Sequence, residues 1–150
     1  MEIGEKAPDF KLKDTEGKIR KLSDYKKGFL VLYFYPKDMT PGCTKEACNL
    51  RDNYNELKKH GAEILGINLD NQDSHKKFTE KYSLLFPLLC DVDAKVSKRY
   101  GVYKRKNMYG KEFYGIKRTT FIVKEGKIFG IINDVDTEDH ARQILGAMKR

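Results

Sequence analysis

The sequence has no long hydrophobic run. Its longest apolar stretch, residues 29–35, has seven residues, whereas a membrane-spanning helix needs about 20. The first ten residues also lack the basic and then apolar segments of a signal peptide. These absences predict a cytoplasmic protein that does not cross or bind a membrane.

Internal repeats, low-complexity tracts and Pro/Gly/Ser-rich linkers are also absent. A chain of 150 residues has the usual length of one domain. Hydrophobic residues make up 39% and charged residues 35% of it, unlike disordered chains, which have too little apolar surface to bury. We therefore expect a single domain that covers residues 1–150.

Cysteine is scarce, and the three residues are Cys43, Cys48 and Cys90. Because disulfides are rare in a reducing cytoplasm, each is a candidate for chemistry. There is no Cys-x-x-Cys pair and no metal-ligand spacing with the three histidines, His60, His75 and His140. We therefore predict no metal and no other cofactor. We interpret Cys90 as structural and the histidines as surface residues.

Acidic residues are scarce in the second half of the chain. Residues 76–150 hold 17 basic and 9 acidic residues, whereas residues 1–75 hold 13 of each. Residues 95–118 combine nine basic residues with one acid, Glu112, and interleaved aromatics. This pattern is compatible with a nucleic-acid groove. We favour a solvated loop with aromatics that face the core, because a net charge is in the first place evidence about solubility and non-specific contacts and not about function.

Hydrophobic periodicity predicts an α/β fold with a mixed central sheet, helices on both faces and an N-terminal β-hairpin. Residues 29–35 should form a central strand buried on both faces. The final helix should begin at Thr137, with acidic residues in its first turn. The other predicted strands are residues 10–12, 18–22, 62–69, 119–124 and 127–132, and the other helices are residues 43–60, 74–82 and 95–100.

Cys43 stands in the first turn of a predicted helix that directly follows a buried strand. Unpaired N–H groups and the positive end of the helix favour a thiolate there. Thr40 and the Pro41-Gly42 turn add a hydroxyl and backbone N–H groups near the thiol, which suit the oxygens of a peroxide or a carboxylate. Cys43 is therefore the predicted reactive residue.

The helical pattern separates Cys43 from Cys48. Cys43 lies four residues before Ala47, on the apolar stripe, whereas Cys48 falls on the polar face. On an intact helix their Cα atoms would be about 8.6 Å apart, beyond the roughly 7 Å limit for a disulfide. Bridging them would require the first helical turn to unwind, which costs little free energy at a helix end.

Residues 34–48 resemble the peroxiredoxin pattern Pro-x-x-x-Thr-x-x-Cys, in the form carried by the peroxiredoxin Q, or bacterioferritin comigratory protein, subfamily. In that form a second cysteine follows five residues later. The resemblance extends over nearly the whole chain, through residues 4–10, 86–91, 100–102 and 115–121. It implies a thioredoxin-like fold and a thiol-dependent peroxidase that acts on hydrogen peroxide and organic hydroperoxides.

The resemblance also assigns roles to residues. Cys43 would be the peroxidatic thiolate, which becomes a sulfenic acid, and Cys48 the resolving thiol that forms a Cys43–Cys48 disulfide. Arg118 would stabilise the thiolate and hold the peroxide, and Glu46 would orient Arg118.

Two further residues complete the implied site. Thr40 would donate a hydrogen bond to the peroxide, and Pro36 would shield the pocket. A thioredoxin or a glutaredoxin-like dithiol would reduce the disulfide, and we expect a monomer, with a dimer as the alternative. Other functions left open are a general thiol-disulfide oxidoreductase, a redox sensor and a nucleic-acid-binding protein that uses residues 95–118.

Overall fold

The apolar run at residues 29–35 forms the central strand, β3 (Phe29–Phe34), of a five-stranded sheet in the computed structural model, which describes residues 1–149. Val31 and Tyr33 enter one hydrophobic core, and Leu30 and Leu32 enter the other. Successive side chains of a strand point to opposite faces, so a strand covered on both faces needs apolar residues throughout. This explains the uninterrupted run.

Residues 1–149 form eight further strands. They are β1 (Lys11–Lys13), β2 (Ile19–Lys21), β4 (Ala62–Asn68), β5 (Leu88–Cys90), β6 (Tyr103–Met108), β7 (Lys111–Ile116), β8 (Thr119–Lys124) and β9 (Lys127–Ile132). The sheet order is β5-β4-β3-β8-β9. β3, β4 and β5 are parallel to one another, whereas β8 is antiparallel to β3 and to β9. Two hairpins, β1-β2 and β6-β7, stand apart from this sheet.

Helices cover both faces of the sheet, as predicted. The helices are α1 (Pro41–Asp52), α2 (Tyr54–Lys59), α3 (Gln72–Tyr82), α4 (Lys95–Arg99) and α5 (His140–Met148). Side chains of α1, α2, α3 and α5 fill the core on one face, and α4 contributes to the other. Within residues 1–149, no helix has the length and apolar character that crossing a membrane would require.

Two helix boundaries differ from the prediction. The helix predicted over residues 43–60 is interrupted at Asn53, whose side-chain amide donates to the Asn49 carbonyl at 2.8 Å. The last helix begins at His140 and not at Thr137, and its first turn contains no acidic residue. Residues 136–139 form a turn instead, in which the Asp136 carboxylate accepts the Glu138 N–H at 3.0 Å.

The basic, aromatic segment is not the predicted loop. Beyond α4 it forms the hairpin β6-β7, and its aromatic residues do not all face the core. Tyr100 is buried, whereas Tyr109 is 98% and Tyr114 is 61% exposed. The hairpin projects from the sheet, so only residues at its base, such as Ile116, can reach the core.

Gly66, on β4, provides a test of packing in the central sheet. A Cβ atom there would lie 2.8 Å from both Tyr33 Cζ and Leu88 Cδ2. We expect Gly66→Ala to lower the free energy of unfolding by about 1–3 kcal/mol through overpacking, measured by urea denaturation. Gly146→Ala in α5 is the control, because its Cβ would contact nothing and should leave stability unchanged or raise it. Equal stability of Gly66→Ala and the wild type would contradict this account.

Candidate active site

Cys43 lies at the amino-terminal end of α1, just beyond the carboxyl end of β3. Thr40 is the N-cap residue, with extended backbone angles, and Pro41 occupies the first helical turn. The Cys43 side chain is only 1% exposed and packs with Ala47 and Leu50, as its stripe predicts. The N–H groups of a first helical turn have no intrahelical acceptors, so they can stabilise negative charge beside this sulfur.

Cys48 lies on the same continuous helix and is partly exposed. Both cysteines are free thiols. Because α1 is unbroken between them, helical geometry keeps their Cα atoms about 8.6 Å apart, which is too far for a disulfide. Any bond between Cys43 and Cys48 therefore requires the start of α1 to unwind.

The fold brings Arg118 to the start of α1. Its Nη1 donates to Glu46 Oε1 at 2.6 Å, and Glu46 is fully buried on the turn after Cys43. A Cβ atom on Gly42 would lie only 3.1 Å from Arg118 Nη2, so the guanidinium lies against the first turn of the helix. Burial alone would lower the pKa of Arg118, but the negative charges of Cys43 and Glu46 raise it. Arg118 is therefore a permanent cation at this site.

The Glu46 carboxyl group has an unusually high pKa. Burial raises the pKa of its carboxyl group to about 7, although Arg118 opposes that shift. Its second oxygen, Oε2, is buried without a hydrogen-bond partner and lies 3.5 Å from His140 Nε2. Burial also lowers the pKa of His140 to about 4, so the imidazole is neutral at physiological pH. Arg118 is therefore the cation that balances the charge of Glu46 when its carboxyl group is ionised.

Hydrogen bonds determine the tautomer of His140. The Gln143 amide donates to the Asp134 carbonyl at 2.9 Å, and its oxygen accepts the Asp136 N–H at 2.9 Å. That oxygen lies 2.8 Å from His140 Nδ1, so Nδ1 carries the proton. Nε2 then accepts the Thr120 hydroxyl proton at 2.7 Å and has no proton to offer Glu46.

Thr40 and Pro36 lie where the sequence places them, in the segment between β3 and α1, and both are partly exposed. The Thr40 hydroxyl donates to the Lys37 carbonyl at 2.8 Å. Its proton is thus engaged within the loop, and the oxygen lone pairs are the groups left to meet a peroxide. This differs from the expected role of Thr40 as a donor.

A second charged network, missed at the sequence level, anchors the same loop. The Asp38 carboxylate is buried and accepts hydrogen bonds from Tyr35, Asn68, Ser74 and His75 at 2.6–3.1 Å. Both ring nitrogens of His75 face acceptors, with Nε2 3.0 Å from the Leu89 carbonyl. Burial would lower the pKa of His75, but hydrogen bonding and charge, mainly from Asp38, raise it to about 10. His75 is therefore a buried imidazolium.

The prediction that the histidines lie on the surface is wrong for His75 and His140, which are both fully buried. A spacing signal was present, because His75 lies three residues before buried Phe78 and His140 lies four before buried Ile144. Residues three or four apart share one helix face. Cys90 is partly exposed at the end of β5, beside His75 and outside the Cys43 site.

Comparison with known proteins agrees with this geometry. Residues 3–131 match the AhpC/TSA family. Peroxiredoxin Bcp of Bacillus subtilis is 47% identical over 150 residues, covering 99% of this chain and 96% of that protein. The structure of a cysteine-to-serine mutant of Xylella fastidiosa PrxQ matches with a TM-score of 0.92 and 34% identity, covering 99% and 96% of the two chains. The structure of the Xanthomonas campestris bacterioferritin comigratory protein, studied for alkyl peroxide reduction, matches with a TM-score of 0.87 and 38% identity, covering 93% of this chain and 90% of that chain.

The His75 ion pair predicts a pH dependence of stability. Because folding raises the pKa of His75 to about 10, its stabilising charge is fully present below its unfolded pKa of about 6.5 and is lost as pH rises towards 10. We expect wild-type stability, measured by urea unfolding, to fall over this window. His75→Gln should be less stable at pH 6.5 and should show a smaller fall. The control, His60→Gln at an exposed histidine, should show the same change of stability with pH as the wild type. An equal loss of stability with rising pH in all three proteins would disprove the assignment.

Proposed function

Since the chain belongs to the AhpC/TSA family and, within it, to the Bcp/peroxiredoxin Q peroxiredoxins, which are thiol-dependent peroxidases with a thioredoxin-like fold, we propose that Cys43 is its peroxidatic residue. One observation carries this proposal. The Cys43 thiol is enclosed at a helix amino terminus against the Arg118 guanidinium, which Glu46 holds at 2.6 Å. Fixed positive charge beside a thiol favours the nucleophilic thiolate.

In the first step the Cys43 thiolate attacks the terminal oxygen of a hydroperoxide. The O–O bond breaks, sulfur keeps that oxygen as a sulfenic acid, and the alkoxide takes a proton and leaves as an alcohol. Arg118 and the first-turn N–H groups stabilise negative charge on the departing oxygen. We propose that the Thr40 oxygen accepts a hydrogen bond from the peroxide O–H group, and that Pro36 limits access of water to the sulfur.

In the second step the start of α1 unwinds, and the Cys48 thiol attacks the Cys43 sulfenic sulfur. Water leaves and a Cys43–Cys48 disulfide forms. Two contacts support a local change. Arg51 Nη1 donates to the Tyr82 carbonyl at 2.6 Å, which holds the end of α1 to α3, and Asp38 anchors the loop before the helix. The unwinding segment is thus bounded on both sides.

The substrates proposed are hydrogen peroxide and alkyl hydroperoxides. Similarity to the Xanthomonas campestris protein, studied for alkyl peroxide reduction, supports the alkyl class. Met39, next to Thr40, is exposed and has left-handed backbone angles, with φ at 67°. Its flexible thioether offers an apolar surface to an alkyl group.

A thioredoxin or a glutaredoxin-like dithiol protein is the proposed reductant. We also propose that the protein acts in the cytoplasm, where its three free thiols would remain reduced. The working unit is a monomer, because Cys43 and Cys48 lie on one helix and their disulfide needs no second chain.

Cysteine variants test the scheme. The protein, reduced without air, is mixed with one equivalent of hydrogen peroxide, its thiols are counted, and disulfides are mapped by peptide mass. The wild type should lose two thiols and gain the Cys43–Cys48 link. Cys43→Ser should consume no peroxide, whereas Cys48→Ser should react once and accumulate sulfenic or sulfinic acid. Cys90→Ser should behave as the wild type. Retained peroxide reactivity in Cys43→Ser would refute the proposal.

Arg118 variants separate charge from hydrogen-bond geometry. Because Arg118→Met removes both the cation and its donors, we expect peroxide oxidation of Cys43 to slow by about 100-fold. Arg118→Lys keeps the charge without the planar pair of donors, so its rate of Cys43 oxidation should lie between those of the wild type and Arg118→Met. Stopped-flow measurement gives the rate at which peroxide oxidises Cys43. The rate of alkylation by iodoacetamide reports how much of Cys43 is present as the thiolate. A wild-type oxidation rate in Arg118→Met would exclude Arg118 from the site.

A further inference from the structure

The hairpin β6-β7, called the ribbon here, is the feature that peroxide reduction does not explain. Its two strands pair only with each other within residues 1–149. Large side chains that stand exposed on it are Met108, Tyr109, Phe113 and Tyr114. An isolated two-stranded hairpin is marginally stable in water, and clustered exposed apolar side chains mark interaction surfaces.

The ribbon is also strongly basic. Lys104, Arg105 and Lys111 are exposed, and the one acidic residue of the ribbon, Glu112, is already bonded to Arg105. Lys98 and Lys117 extend the positive surface at its base. Such a surface attracts an acidic partner and repels a second copy of the same chain. Charge complementarity therefore favours a partner with an acidic face.

The base of the ribbon lies next to the Cys43 site, because β7 ends two residues before Arg118, whose guanidinium lies against the first turn of α1. Lys106, on β6, is partly buried, and burial together with the positive charge of Arg118 lowers its pKa, while Cys43 raises it. The ammonium group therefore lies within electrostatic range of both residues. The Lys117 N–H donates to the Val102 carbonyl at 2.8 Å, which closes the base of the ribbon directly before Arg118. A macromolecule bound to the ribbon would therefore lie next to the Cys43 site.

We propose that the ribbon is the docking surface for the dithiol protein that reduces this enzyme, and that this partner is acidic around its dithiol. The inference rests on the proposed Cys43–Cys48 disulfide. A partner thiolate attacks one sulfur of that disulfide and forms a mixed disulfide, which the partner's second thiol then displaces. Two electrons and two protons pass to this chain, and the partner leaves oxidised.

The test reverses charge on the ribbon and measures the two half-reactions separately. The ribbon variant carries Lys104→Glu, Arg105→Glu and Lys111→Glu. The control carries the same charge change at exposed Lys13, Lys26 and Lys27, of which the last two precede β3, at the end of the sheet away from Cys43. Each oxidised protein is reduced by a thioredoxin of net negative charge, by a glutaredoxin and by dithiothreitol.

We expect thioredoxin or glutaredoxin to reduce the ribbon variant about tenfold more slowly than the wild type and the control, because electrostatic steering is lost. The wild-type rate should fall as salt rises, and the ribbon variant should lose most of that dependence. Dithiothreitol and peroxide should react equally with all three proteins. If the wild type fails to consume peroxide, the proposed function fails, whatever the ribbon does.

Three results would overturn the docking proposal. The first is equal reduction of all three proteins by both protein reductants, or equal slowing of both variants. The second is that neither reductant acts on the wild type faster than dithiothreitol. The third is that the ribbon variant alone loses salt-dependent binding of a labelled single-stranded oligonucleotide, or loses a dimer seen by sedimentation, while its reduction rate is unchanged. That result would assign the ribbon to a nucleic acid or to a second copy.

Discussion

The buried ion pair between Glu46 and Arg118 is the interaction on which the rest of the site depends. A carboxylate in the core is costly unless a cation and hydrogen bonds compensate for its lost hydration. His140 cannot supply that charge, because burial lowers its pKa to about 4 and keeps the imidazole neutral. Arg118 must therefore stay against α1 to neutralise Glu46, and this position is also the one that places a cation beside the Cys43 sulfur.

A second buried pair, Asp38 with His75, holds the loop on the other side of Cys43. Four hydrogen bonds to one carboxylate fix the segment that leads from β3 into α1. The helix turn that carries Cys43 thus lies between two charged anchors. The end turn of a helix opens at a low free-energy cost compared with unfolding of the whole chain. This arrangement fits the proposed chemistry, in which the turn is ordered for attack on peroxide and unwinds for disulfide formation.

Much of the fold follows from local patterns. The apolar run of β3 and the turn between β8 and β9 were evident because side-chain alternation and turn residues are short-range signals. The hairpin β6-β7 was not, because its polar strands bury almost nothing and carry no clear periodicity. The start of α5 was misplaced because Thr137, a good N-cap by type, lies in a turn that Asp136 organises through its own hydrogen bond.

By itself the sequence determined which cysteine faces inward at a helix amino terminus, since chain spacing sets helical position. Its resemblance to a family named Arg118 and Glu46 in advance, but their contact spans 72 positions and is made only when β8 is placed beside β3. Only the tertiary structure decided that His75 is a buried imidazolium and that His140 is buried and neutral. The reason is physical, because the protonation state of a buried side chain depends on the charges and dipoles packed around it, and these come from distant parts of the chain.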